Sequence, residues 1–171
     1  MNTMVAASSQ KEGAVQVRSA VGSDLEGIAR LGGEAFSGLR PPERADAWVR
    51  ACWSAQPRFL YYVAEEQGAL LGYILWMEKG GFRTEAVWEL EQITVDPRQR
   101  HRGIGAQLIQ SSLADIRERL RSRGARLKLV EVTTGSEQGA VDFYRRTLGA
   151  EVAAQIPDVF RGEEYILIAR E

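Results

Sequence analysis

Between Trp88 and Arg123 the hydrophobic period changes once, and that change constrains the fold more than any other feature of the chain. Trp88 to Val95 reads as a strand, with a side-chain period of two. Asp96-Pro97 stops it. From about Gly103 to Arg123 a helix is predicted, with Ile104, Leu108, Ile109, Leu113, Ile116 and Leu120 as its buried stripe. Gly124 suits the C′ position, and Leu127 to Val132 reads as the next strand. Strand, long amphipathic helix and strand make a crossover unit, whose helix has to lie against a sheet.

The remaining elements extend that unit. Val15 to Ser19 reads as a first strand, and Ser23 with Glu26 predicts a capping box before Leu25, Ile28, Leu31 and Ala35 at helical spacing. Gly38 to Pro42 breaks the pattern, and a second helix from about Glu43 to Ala55 is expected to put Trp48, Val49 and Cys52 on one face. Phe59 to Glu65 and Leu70 to Met77 form a hairpin about Gln67-Gly68. Ser136 to Leu148 reads as a helix closed by Gly149, and Val152 to Ile156 pairs with Tyr165 to Ala169. The expected class is mixed α/β, a mostly antiparallel sheet with flanking helices.

Composition narrows the function. At 171 residues the chain suits one domain, with 44 % hydrophobic and 26 % charged residues, as in an ordinary globular protein. Residues 14–171 are expected to form that domain, behind a disordered polar arm, 1–13, that lacks the features of a secretory signal. With 22 basic against 23 acidic residues, charge gives no reason to expect a nucleic-acid or membrane partner. Cys52 is the single cysteine and His101 the single histidine, so neither a disulfide framework nor a zinc site is expected, and a cytoplasmic location is. No stretch approaches the roughly 20 apolar residues of a membrane span.

The chemistry lies in WELEQITVDPRQRHRGIGAQLIQ, Trp88 to Gln110. A helix N-terminus offers unpaired N–H groups and positive potential, glycine lets an anion approach, and Arg98, Arg100 and Arg102 add charge. This is the pattern of a diphosphate-binding turn. Neither G-x-G-x-x-G nor the Walker A pattern fits, whereas R-x-x-G-x-G fits from Arg100 to Gly105. On that spacing, its flanking elements and GAVDFYRRTLGA (Gly139 to Ala150), the sequence resembles the GNAT superfamily of acyl-CoA-dependent N-acetyltransferases over about Val15 to Arg170.

The resemblance implies acetyl-CoA as cosubstrate and no metal. It implies a strand that bulges and splays from its parallel neighbour, Leu127 to Val132, leaving a gap for the pantetheine arm beside Ile93, Thr94 and Val95. The pyrophosphate would be held along Arg100, His101, Arg102, Gly103, Ile104, Gly105 and Ala106. It also implies Glu89 as the general base and Tyr144 as the group facing the thioester sulfur. Strand alternation, unless a bulge interrupts it, would set Glu89, Glu91, Ile93 and Val95 on one face, so Glu91 is the second candidate for the base. Two departures from the family pattern stand out. Glu137 occupies the place of a common asparagine, and Tyr144 to Gly149 is one residue longer than usual.

The expected acceptor is a small-molecule or protein amine, and a homodimer is compatible with the sequence. The acceptor side would draw on Phe36, Arg40, Trp48, Trp53, Asp158 and Phe160, which do not specify one amine. The arginines from Arg117 to Arg126 read as a solvated helix end. The rival functions are an acyl-CoA sensor of the same fold and an arginine-based nucleic-acid binder.

Overall fold

The computed structural model describes residues 13–36, 44–81, 83–135, 139–159 and 162–171. Residues 1–12 of the expected arm 1–13, the Gly38–Pro42 break, Arg40, the start of the Ser136 helix with Glu137 and Gln138, and Phe160 lie outside the described residues. Seven strands form one sheet: β1 (Gln16–Ser19), β2 (Phe59–Glu66), β3 (Ala69–Lys79), β4 (Glu85–Val95), β5 (Arg126–Gly135), β6 (Glu151–Pro157) and β7 (Glu163–Arg170). Their spatial order is β1-β2-β3-β4-β5-β7-β6. Among the described residues only β4 and β5 pair in parallel. The crossover between them is α3 (Ile104–Ser122), as the change of period in the sequence demands.

Helices cover both faces. On one, all six predicted stripe residues of α3 are buried against Ile74, Trp76, Trp88, Leu90, Val130 and Val132, with α4 (Ala140–Leu148) beside it. The other face holds α1 (Leu25–Ala35) and α2 (Arg44–Ser54), packed on Tyr61, Val63, Tyr73 and Leu75. Glycine makes one of these contacts possible: a Cβ at Gly32 would lie 2.7 Å from the Tyr73 hydroxyl oxygen.

Some local expectations are corrected. The Ser23–Glu26 capping box does not form. Asp24, in the short turn before α1, takes the Val21 N–H at 2.7 Å and is itself held by Arg18. In α2, Val49 and Cys52 are buried but Trp48 is exposed, because the sheet receives only a narrow stripe of that helix. Ala35 is likewise exposed. The arginines at the end of α3 are exposed to half-buried and carry acidic partners: Arg117 bonds Glu171, Arg121 bonds Glu118 and Arg123 bonds the buried Glu78.

Candidate active site

The sheet opens where its parallel pair ends. β4 and β5 are in register from Glu85–Arg126 to Leu90–Val132. Beyond that rung β4 continues to Val95 against β3 alone, and β5 continues to Gly135 against β7 alone. At the same point β4 bulges. Leu75 faces Gln92 and Trp76 faces Leu90, so Glu91 is the extra residue.

The bulge reverses the alternation. Leu90 and Ile93 both lie towards α3, although three residues apart, while the Gln92 side chain accepts a hydrogen bond from the Tyr73 hydroxyl at 3.0 Å on the opposite face. Glu89 therefore does not share a face with Ile93 and Val95. It lies on the α1–α2 face, with Lys79 Nζ 2.8 Å from its Oε2.

The turn after β4 is built by short-range capping. Asp96 accepts the Arg98 N–H at 2.9 Å, and Pro97–Gln99 make a single 3-10 turn. His101 (φ 65°) and Gly103 (φ 76°) are both left-handed, which wraps the chain into a concavity ahead of α3. Only glycine adopts such a φ at little cost, and a Cβ on Gly103 would meet nothing within 4 Å. Gly105 differs: its Cβ would lie 3.2 Å from Phe143 Cζ on α4. Gly103 thus leaves open space, and Gly105 lets α4 approach. No side chain caps the N-terminus of α3, so its first N–H groups keep their hydrogen-bonding capacity.

A cavity of about 580 Å³ fills the space between the splayed strand, this turn and α4. Of the ten residues assigned to the cofactor from the sequence, nine line it: Ile93, Thr94, Val95, Arg100, His101, Gly103, Ile104, Gly105 and Ala106. Arg102 does not. Its guanidinium donates to Glu66 Oε1 at 2.8 Å and to Gln99 Oε1 at 2.5 Å. Tyr144 lines the cavity too, and burial pushes its hydroxyl up to about 12. Gln99, Ala140 and Phe143, none of them among the site residues expected from the sequence, complete the lining. Ala140, Phe143 and Tyr144 stand at i, i+3 and i+4, a helical spacing that could have been read. Of the acceptor-side residues, Trp53 packs on the α2 core and Trp48 faces out.

Uncapped helix amides with Arg100 suit a diphosphate, the stretch of β4 beyond the β5 ladder suits an extended polar chain, and a buried tyrosine beside both can donate a hydrogen bond. Among the described residues no group of three His, Cys, Asp or Glu side chains could hold a metal ion. No helix among them is long and apolar enough to cross a membrane.

Known proteins resemble this chain in sequence or in fold. An uncharacterized N-acetyltransferase of Methanocaldococcus jannaschii is 35 % identical over 96 residues, which is 53 % of this chain but only 38 % of that protein's length. Two solved structures share the fold. The yncA protein of Salmonella typhimurium, solved with its cofactor acetyl-CoA, has TM-score 0.67 and 20 % identity, covering 92 % of this chain and 94 % of the other. The ribosomal-protein-alanine N-acetyltransferase of Brucella melitensis has TM-score 0.67 and 20 % identity, covering 91 % and 99 %. The sequence profile of the acetyltransferase (GNAT) family matches residues 25–150, from α1 through the turn to the end of α4. The chain belongs to the acetyltransferase (GNAT) family.

Proposed function

We propose that the chain acetylates a primary amine directly from acetyl-CoA, with both substrates bound together. The observation that carries this reading is the cavity that joins the end of the β4–β5 ladder to the uncapped start of α3, with Tyr144 in its wall. Its volume and its one-sided strand suit an extended thioester, and the open space at Gly103 suits the pyrophosphate. Bound acetyl-CoA supplies the activated acetyl group.

The chain's own residues supply the rest. The amides of Gly103 to Ala106, with Arg100 and His101, hold the diphosphate. Arg102 supports the turn from behind through Glu66 and Gln99. An alkylammonium has a pKa near that of lysine, about 10, so it has to lose a proton before it can attack. Glu89, directly or through water, takes that proton. Burial keeps the Tyr144 hydroxyl protonated at working pH, and it offers a hydrogen bond to the departing sulfur. No cysteine lines the cavity, which favours direct transfer over a covalent acetyl-enzyme.

The test is thiol release from acetyl-CoA with a panel of spermidine, an amino sugar, an alanine-initiated peptide and a lysine peptide. Turnover with at least one amine, and a fall in kcat of roughly 10²–10⁴ in Glu89→Gln, are expected. Tight CoA binding without turnover on any amine would favour the sensor. Wild-type kcat in Glu89→Gln would move the role to Glu91 or to solvent.

A further inference from the structure

Three neighbouring strands bring three charged groups to one point. The register sets Met77 of β3, Glu89 of β4 and Glu131 of β5 in a single row. Glu89 and Glu131 are therefore direct neighbours in the parallel ladder, where like charges repel. Lys79, two residues further along β3, reaches back between them. Its Nζ lies 2.8 Å from Glu89 Oε2 and 2.7 Å from Glu131 Oε1. The carboxylate side chains are only 14 % and 22 % exposed. One ammonium thus serves two carboxylates, and the row keeps an excess negative charge in the middle of the sheet.

The row also has a telling position. The next rung, Leu90–Val132, is the last before the strands part. At a rise of about 3.3 Å per residue, the triad stands roughly one residue from the root of the cleft. It is also on the face opposite α3 and α4, where it does not meet the turn.

We propose that Lys79 and Glu131 are positioning residues for Glu89: the Lys79 ammonium holds that carboxylate in place at the root of the cleft, and Glu131 moderates the hold by competing for the same ammonium. The proposal rests on the reading of Glu89 as general base. Two adjacent carboxylates without the lysine would share a proton, and a base that already carries one cannot take another from an amine. Beside Glu131, Arg170 of β7 pairs with Leu129, and Glu151 of β6 stands in the same row beyond Ile168. Arg58 reaches the sulfur of Met77 beside Glu89, and Glu91 sits at the bulge two residues on. Burial pulls the Lys79 amine down, but the two carboxylates outweigh it and hold the amine above its usual range.

The test is a pH titration of the Glu89 carboxyl carbon by ¹³C NMR in the full chain, with the signal assigned by its loss in Glu89→Gln. Lys79→Met should raise its midpoint by about one pH unit or more, the size expected for losing a close opposite charge. Glu131→Gln should lower it, and Lys79→Arg should restore it. A purely structural role does not produce shifts of opposite sign. The acid limb of kcat/KM, measured with the fastest amine of the panel, should follow the midpoint in each variant. A midpoint within about 0.3 unit of wild type in either Lys79→Met or Glu131→Gln, or shifts in the same direction, overturns the proposal. So does a midpoint that moves while the limb stays. Wild-type turnover in Glu89→Gln sinks the general-base reading instead, and the titration still decides whether the triad sets the charge on Glu89.

Discussion

Gly103→Asp separates folding from cofactor binding. Gly103 is the N-cap of α3 with φ 76° and ψ 3°, and a side chain there meets open space. A left-handed residue other than glycine costs roughly 1–2 kcal/mol, least for Asp and Asn. A carboxylate at a helix N-terminus returns about 0.3–1 kcal/mol. The folded state should therefore lose about 1 kcal/mol or less, and Tm should move by only a few degrees. Binding should respond very differently. A carboxylate about 5 Å from a pyrophosphate charge costs roughly 3 kcal/mol at an effective dielectric of 20, which is more than a hundredfold in Kd. CoA at 100 times its Kd stabilises the native state by about 2.7 kcal/mol, or roughly 5–11 °C in a domain of this size. Differential scanning fluorimetry with and without CoA reads both numbers. The wild type should show the full shift, Gly103→Asp almost none, and Gly103→Asn, with the same shape and no charge, an intermediate one. A full CoA shift in Gly103→Asp refutes the assignment of the diphosphate to this turn.

Other outcomes follow from other parts of the site. Gly105→Val should act through α4, since its Cβ would already press on Phe143. It should lower Tm by several degrees, for an overpacking cost of about 1–3 kcal/mol, and weaken CoA binding as the Phe143 ring moves. Tyr144→Phe should leave Tm and CoA affinity nearly unchanged and lower kcat by roughly 10–10³-fold; an unchanged kcat where chemistry limits turnover would make the residue structural. Arg18 holds the Asp24 carboxyl below its ordinary 3.8, so the stability it gives is present above that pH and is lost as pH falls through the lowered value. Asp24→Asn should flatten the acid side of the stability curve below about pH 4, as read by urea unfolding at a series of pH values.

The periodic parts of this fold were legible in the sequence. The α3 stripe, the meander and the final hairpin each follow from apolar spacing that no tertiary contact overrides. The turn was legible because glycine and arginine spacing is local. What local spacing cannot give is register. The bulge at Glu91 depends on how β4 aligns with β3, and it alone moves Glu89 to the face opposite Ile93. Lys79 and Glu131 carry no signal at all in one dimension, since 52 residues of sequence separate partners 2.7 Å apart. Arg102 reads like its neighbours Arg98 and Arg100 until Glu66 of a distant strand claims it. Phe143 could have been found from helical spacing, but not its contact with the missing side chain of Gly105.

The early end of the β4–β5 ladder has a mechanical consequence. The sheet consists of two leaves, β1 to β4 and β5 with β7 and β6, hinged along one parallel seam that stops at Leu90–Val132. Backbone groups on the seam side of β4 past that rung have no partner strand among the described residues. An extended ligand that enters the opening supplies the absent rungs and splints the leaves together. Amide hydrogens of Gln92 to Val95 and of Thr133 to Gly135 should then exchange more slowly in complex with CoA than in the free chain, a change that reports stiffness rather than shape.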